Sequence, residues 1–236
     1  MKRVLITLLL FVTIINATEI YATFTVKPIR DANLAFISSG IIDKIDVDVG
    51  SKVKKGEILA QLENSDIRAM LNVAQTTYKY AKKDYKRQLK IKNLIDEAKF
   101  DAVANRYESA KNQLAYQQAL YEKTFLKAPF DGVIYAKEIE IGDAVSGMML
   151  RTAFKIQSTS KRKLLLKFDQ KNRKLVKVGE LYKYKIDGDD KRYTGTISKI
   201  YPRANFKDRK IAAEVLTQNF LPGLFGDGYI LTQTEK

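Results

Sequence analysis

Apolar and polar residues change their spacing twice along this chain. Over residues 40–63 they alternate: Ile45, Val47 and Val49 are interleaved with Asp46 and Asp48, a turn follows at Gly50, and a second turn at Gly56 leads into another apolar run. Alternation of this kind belongs to a strand with one buried face and one wet face. Residues 126–150 repeat the grammar, with Asp131-Gly132 turning the chain into a strand and Gly142 turning it into the next. Between the two segments the period lengthens. Ile67, Leu71, Ala74, Tyr78, Ala81 and Tyr85 recur at spacings of four and three, and Phe100, Val103, Tyr107, Ala110, Leu114 and Tyr121 carry a second such series. Each series makes an apolar seam along one helical face, with Lys79, Lys82, Lys83, Lys86 and Arg87 on the wet side.

Neither helical series contains Gly or Pro, and the second should run until Pro129 stops it. A single helix of ~60 residues would be about 90 Å long and would hold the two β segments that far apart. A hairpin turning near residues 92–97 instead brings Glu63 and Leu126 side by side, so the two segments can close one core. The expectation is an antiparallel coiled coil of two helices, roughly 30 residues and about 45 Å each. Its seam comprises Ile67, Leu71, Tyr78, Val103, Tyr107 and Leu114, with Ala74, Ala81 and Ala110 letting the helices approach closely. Asn64 or Ser65 would cap the first helix and Asp96 the second.

Past Leu150 the pattern is β again. Strands are expected over residues 154–156, 163–168, 181–186, 193–201, 211–216 and 229–231, with a short helix over 170–180 ending near Gly179. Together with residues 18–36, read as one or two strands broken at Pro28 and Asp31-Ala32-Asn33, they suggest a small barrel. The expected organisation is therefore residues 1–17 a signal peptide, 18–36 strands joining the barrel, 37–63 and 126–150 two halves of one β domain, 64–125 the hairpin, and 151–236 the barrel.

Composition narrows the chemistry. The chain has no Cys and no His among its 236 residues, so disulfides, thiolate nucleophiles, Cys/His zinc centres and His-based acid–base catalysis have no parts to build from. The expectation is a protein that is not an enzyme, with no cofactor and no resident metal. Asp43, Asp46 and Asp48 read as the wet face of a strand, and Asp187, Asp189 and Asp190 as a hairpin tip. The N-terminus, MKRVLITLLLFVTIINATEIYA, has two basic residues, an apolar run over residues 4–15 and small residues at Ala17 and Ala22. This is the form of a secretory signal, cleaved at 17 or as late as 22, and the run is shorter than the ~20 residues of a membrane span. Net charge is +15 with no block of like charges. Export makes nucleic acid an unsuitable partner, while an anionic membrane or an acidic protein suits the charge.

The segments VGSKVKKGEILAQLENSDI (residues 49–67), TFLKAPFDGVI (124–134), IGDAV (141–145), LVKVGE (175–180), YTGTISKIYPRAN (193–205) and LPGLFGDGYI (221–230), in this order around a coiled-coil insertion, resemble the periplasmic adaptors of tripartite efflux systems, also called membrane fusion proteins. RND-type pump adaptors are the most similar. The resemblance implies a mixed β and α fold: a split lipoyl-like (barrel-sandwich hybrid) domain with turn glycines Gly50, Gly56, Gly132 and Gly142, an inserted antiparallel coiled-coil α-hairpin, and a small β-barrel. A lipoyl carrier presents a modified lysine on the turn that the hairpin replaces here, so no swinging arm is displayed, and Glu97-Ala98-Lys99 is surface helix.

In that family the hairpin tip engages an outer-membrane channel through an Arg, a Leu and a Ser. The matching candidates here are Arg87, Lys90, Leu94, Ile95 and Asp96, with Leu89 an alternative to Leu94 and an Asp where the family has Ser. The family also implies an inner-membrane transporter, an outer-membrane channel and further copies of the same chain in a ring as partners. It implies a location in the periplasm of a Gram-negative bacterium, peripheral to the inner membrane. Two further readings compete: an adaptor of an ABC-type exporter, and a periplasmic metal-binding efflux component, for which Met148-Met149 is the only pair of soft ligands.

Overall fold

A computed structural model of the chain describes residues 17–217 and 220–233, so the signal-peptide reading falls, apart from Ala17, outside the described residues. In chain order the elements are β1 (Ala17–Pro28), β2 (Asp31–Leu34), β3 (Gly40–Ile45), β4 (Lys52–Val53), β5 (Ile58–Leu62), α1 (Ser65–Leu89), α2 (Glu97–Glu122), β6 (Phe125–Lys127), β7 (Gly132–Lys137) and β8 (Ala144–Val145). They continue with β9 (Phe154–Gln157), β10 (Arg162–Asp169), β11 (Leu181–Ile186), β12 (Arg192–Ala204), β13 (Lys210–Thr217) and β14 (Phe225–Gln233). These group into two units, residues 1–29 with 159–236, and residues 30–158.

The first unit is a closed antiparallel barrel in the order β1-β10-β13-β12-β11-β14. Period-two patterning sends Ile20, Ala22, Phe24 and Val26 of β1 inward, where they meet Leu164, Leu166 and Phe168 of β10 and Tyr182 and Tyr184 of β11. Each large side chain so buried contributes about 1.5–3 kcal/mol. The Tyr182 hydroxyl, inside this core, donates to the Ala22 carbonyl at 2.8 Å. Burial, and after it Asp227 and the neighbouring tyrosines, pushes that phenol far above its ordinary value. Strand β14 can lie against the ring cluster only because Gly226 and Gly228 lack side chains: a Cβ at Gly228 would stand 2.1 Å from the Lys183 carbonyl oxygen.

The second unit holds two four-stranded sheets, β2-β9-β7-β4 and β6-β5-β3-β8, around one apolar core. Neither half of the split domain makes these sheets alone. Strand β3 of the first half pairs with β8 of the second, β5 with β6, and β4 with β7. The turn glycines sit at the joins. Gly50, Gly56 and Gly142 have φ of 91°, 85° and 92°, where an L side chain is strained. Each donates its amide across to the other half: Gly50 to the Ile134 carbonyl, Gly56 to Ala128 and Gly142 to Ile42, all at 2.8 Å. Gly132 serves differently, since a Cβ there would lie 2.5 Å from the Gln157 carbonyl oxygen.

Three boundaries differ from the sequence reading. Residues 31–34 do not extend the barrel; β2 pairs with β9 in the other unit, Asp31 with Gln157 through Leu34 with Phe154. Residues 154–157 leave the barrel for the same reason, because β9 also pairs with β7. The units therefore divide at 29/30 and 158/159 rather than after 36 and 150. Residues 170–180 form only one 3-10 turn, Gln170–Asn172. Beyond it the chain runs as turns rather than helix, with Val176 plugging the barrel core at 1% exposure and Gly179 turning the chain into β11 at φ 97°. Finally, Ile20 and Ala22 are buried in β1, so cleavage as late as 22 would remove two core residues and much of the strand that pairs with β14.

Candidate functional site: the hairpin, its root and its tip

At the root, β5 feeds α1 and α2 feeds β6, and the register sets Ala60 beside Leu126 and Gln61 beside Phe125. The Leu62 amide donates to the Thr124 carbonyl at 2.9 Å, and the Glu63 amide to the Ile41 carbonyl at 2.8 Å. Asn64 occupies the position before α1 but its side chain makes no cap hydrogen bond. It points inward instead, donating from Nδ2 to Thr124 Oγ1 at 2.9 Å, a buried bond across 60 residues of chain. Thr124 passes the bond on, donating to the Tyr121 carbonyl at 2.7 Å. The amide of Ser65 is taken up by Glu63 Oε1 at 2.9 Å. Hydrogen bonds from Ser65, its hydroxyl first and its amide second, hold the Glu63 carboxyl below the usual range.

Along the shaft, α1 buries Leu71, Ala74 and Ala81, and α2 buries Phe100 and Ala110. Ile67, Tyr78, Val103, Tyr107 and Leu114 are half-buried on the same seam. Small residues at 74, 81 and 110 let the helices close, and the rings stack between them. Tyr107 lies 4.8 Å from Tyr85 and 5.8 Å from Tyr78 between ring centroids, and Tyr85 lies 5.8 Å from Phe100. A hydrogen bond from Tyr107, then one from Lys82, lowers the Tyr78 phenol. The Tyr107 phenol is raised, first by that same contact. Helices of 25 and 26 residues are each roughly 38 Å long, somewhat shorter than the spacing pattern suggested.

At the tip, α1 ends at Leu89, a 3-10 turn covers Lys92–Leu94, and α2 restarts at Glu97. Asp96 is the N-cap of α2, its Oδ1 accepting the Lys99 amide at 3.2 Å. Of the five candidate contact residues, the structure puts Leu94 at the apex with 84% of its surface exposed. Lys90 is exposed beside it, and Ile95 is half-buried. Asp96 is engaged by its cap, and Arg87 sits a turn back on α1, bound to Asp84 at 2.9 Å. Leu89 and Ile91 are also exposed, at 48% and 41%, so the apex is an apolar knob with lysines around it. Lys92 lies over the Phe100 ring at 4.9 Å. Ile91, Lys92 and the buried Asn64–Thr124 bond were not singled out from sequence. An apolar residue stranded in a lysine-rich turn was the available signal for Ile91; an Asn before a helix reads as a cap, which hid Asn64.

The acidic clusters have local work. Asp46 pairs with Lys44, and Asp48 Oδ1 accepts the Val49 amide at 2.7 Å. Asp189 accepts the Lys191 amide at 2.9 Å and the Tyr193 hydroxyl at 2.7 Å, and these bonds, the amide's first, hold its carboxyl below the usual range. Among the described residues no three His, Cys, Asp or Glu side chains converge as metal ligands, and no helix is long and apolar enough to cross a membrane.

A family model described as the CzcB-like barrel-sandwich hybrid domain matches residues 32–156. The cobalt-zinc-cadmium resistance protein CzcB of Cupriavidus metallidurans is 26% identical over 208 residues, covering 79% of this chain and 40% of its own length. The chain thus spans about two fifths of the length of the curated relatives it matches. A crystal structure of a MacA-MexA chimeric protein containing the Pseudomonas aeruginosa MexA α-hairpin domain superposes with a TM-score of 0.84 at 19% identity, over 92% of this chain and 84% of that one. The membrane fusion protein Spr0693 of Streptococcus pneumoniae R6 superposes with a TM-score of 0.73 at 17% identity, over 92% of this chain and 100% of that one.

Proposed function

We propose that this chain, which belongs to the CzcB-like barrel-sandwich hybrid family of membrane fusion proteins by its match over residues 32–156, is a non-catalytic periplasmic adaptor. It couples an inner-membrane transporter, of the RND type, to an outer-membrane channel. The observation that carries this reading is the hairpin itself. It is fixed at its root by a buried hydrogen bond and a shared sheet, and it ends in a knob whose apolar side chains Leu89, Ile91 and Leu94 are exposed among lysines. A shaft so built transmits position without carrying chemistry. In this reading Leu94, Ile95, Lys90, Arg87 and Asp96 form the channel-facing end, with Leu89 and Ile91 beside them. Asp96 shapes the turn from which they project.

One thin hairpin cannot enclose a conduit, so the task calls for several copies side by side in a ring. Met70, Val73 and Tyr80 supply an exposed apolar stripe on α1 for that contact, at 60%, 67% and 61% exposure. The cargo is small. The names of two relatives, a cobalt-zinc-cadmium resistance protein and a cation efflux system protein, favour inorganic cations. The chain itself offers cations no cluster of soft ligands, so selection belongs to the transporter. The test is to delete residues 65–123 and join Asn64 to Thr124 through a short Gly-Ser link, which their 2.9 Å contact permits. The β units should still fold and be exported while cells lose efflux. Efflux at the original level would refute the adaptor role of the hairpin.

A further inference from the structure

The connections at one rim of the barrel are rich in basic residues and leave apolar side chains outside. At one rim lie the carboxyl ends of β10 and β12, the start of β11 and β13, and the start of β1. The connection over residues 170–178, QKNRKLVKV, carries four basic residues and no acidic one, and residues 203–210, RANFKDRK, carry four basic and one acidic. The carboxylates at this rim are engaged: Asp208 by Lys167 at 3.2 Å and the Lys210 amide at 3.1 Å, Asp169 by the Lys171 amide at 2.9 Å, and Glu180 by the Lys177 amide at 2.9 Å. At the opposite rim the turn over residues 186–192, IDGDDKR, has two basic and three acidic residues.

The two basic segments are held together. The Gln170 amide donates to the Arg209 carbonyl at 3.1 Å, and Asp169 is the strand partner of Lys210. Between the cations stand apolar side chains that the barrel leaves outside: Phe206 is 82% exposed, Val178 61% and Leu175 41%, although Val176 between them is buried. The Arg203 guanidinium lies 4.8 Å from the centre of the Phe206 ring. The 205–209 turn is braced by the Asn205 carbonyl accepting the Arg209 amide at 2.9 Å, with Arg209 at φ 53°. It presents Phe206 as a fixed wedge.

From this we infer that the rim formed by Lys171, Arg173, Lys174, Arg203, Phe206 and Lys207 docks on the surface of an anionic phospholipid bilayer. Phe206, Leu175 and Val178 enter the headgroup layer and the cations face lipid phosphates. Isolated apolar wedges set in lysine and arginine are the pattern of interfacial membrane binding. A protein–protein interface would instead be depleted in lysine at its centre. The inference rests on the barrel alone, and failure of the adaptor reading would leave it standing.

The experiment is flotation of the exported protein, as recovered from cells, with vesicles of phosphatidylcholine alone or mixed with phosphatidylglycerol, at low and high salt. Binding is expected only to the mixed vesicles and should weaken with salt. Lys171→Glu/Arg173→Glu/Lys174→Glu should reduce partitioning by about 100-fold or more, as expected for three basic residues near an anionic surface. Phe206→Ser should reduce it several-fold with no loss of fold, since that ring is exposed. Arg209→Gly removes a charge while relieving the turn, and should weaken binding without lowering the melting temperature. The control Lys52→Glu/Lys54→Glu/Lys55→Glu, in the other unit, should keep wild-type partitioning. Equal loss in the control, or equal binding to neutral vesicles, overturns the inference. So does wild-type protein that stays off anionic vesicles; loss of transporter cross-linking in the Lys171/Arg173/Lys174 variant would then identify the rim as a protein dock.

Discussion

The split β domain and the hairpin that interrupts it are continuous in sequence, yet they are stabilised by opposite means. The β domain buries sixteen apolar side chains drawn from both sides of the insertion, so its one core closes only when the two halves meet. The two helices bury five, Leu71, Ala74, Ala81, Phe100 and Ala110, and rely on half-exposed rings stacked in a line. Their ion pairs are local as well, Arg87 with Asp84 and Lys111 with Glu108, each three residues apart and exposed. Pairs of that kind contribute a few tenths of a kcal/mol. A rigid root and a lightly held shaft teach that the hairpin can be adjusted in length and surface without endangering the fold. The root cannot be altered in the same way, because both ends of the shaft are strands of its sheets.

Charge placed in each seam should expose this difference most strongly. Ile156 is fully buried between β2 and β7, and Ile156→Asp leaves an unpaired carboxylate in an apolar core, a loss of about 5 kcal/mol or more. The expected result is loss of the β unit and, because it is rooted there, of the helical circular-dichroism signal too. Leu71→Asp, at 7% exposure on the thin seam, should cost about 3 kcal/mol and remove helix while the β signal and its melting survive. Helicity and melting unchanged in Leu71→Asp would contradict the coiled-coil seam. Simultaneous loss of both signals would mean that shaft and root are one cooperative unit.

Next in size is the ring stack. Tyr107→Ala deletes two stacked contacts, with Tyr78 and Tyr85, and should cost about 2 kcal/mol. Amide hydrogen exchange should quicken in α1 and α2 and stay unchanged in β5 and β6. Faster exchange in the strands as well would show that strain passes down the shaft.

The seam was legible before any coordinates because its residues repeat at helical spacing. Leu71, Ala74, Ala81, Phe100 and Ala110, the positions that are buried, all stand on the two series. The hairpin itself followed from one distance argument, that two similar β segments must meet. What was not legible is pairing between short strands. Asp31–Leu34 and Phe154–Gln157 have four residues each, too few to announce a partner, and their pairing with each other moves both from the barrel into the split domain. Residues 170–178 failed for a related reason: Leu175 and Val178 look like one face of a helix, but Val176 is the residue that goes in. At the tip, sequence marked the segment but not its order, because the exposed apex depends on where α1 stops and a 3-10 turn takes over.

Asp96 offers a smaller perturbation confined to that turn. Its Oδ1 satisfies the Lys99 amide, so Asp96→Ala should destabilise the start of α2 by about 1 kcal/mol, while Asp96→Ser should recover most of it. If Asp96 serves only as a cap, the Ser variant restores efflux along with local exchange protection. Efflux that stays low in the Ser variant with protection recovered would give the carboxylate a second role at the channel.

The smallest effect separates the charges of shaft and barrel. Glu214 lies in the barrel wall, where burial would raise its carboxyl, but hydrogen bonds from Lys163 and Tyr201, both at 2.6 Å to Oε1, outweigh burial and hold it below the usual range. A carboxyl depressed on folding adds stability that is fully present above its unfolded pKa and is lost as pH falls through the folded one. Lys163 is raised, chiefly by its hydrogen bond to Glu214, so its share is lost at the alkaline end instead. Glu214→Gln should therefore flatten both limbs of the barrel's stability against pH, with the two proteins converging in acid. Glu108→Gln on the shaft should leave its melting nearly unchanged across the acid range, since Lys111 and Glu108 are each more than half exposed. An acid-limb difference as large in the Glu108 variant as in the Glu214 variant would mean that the local pairs of the hairpin bind as firmly as the cross-strand ones.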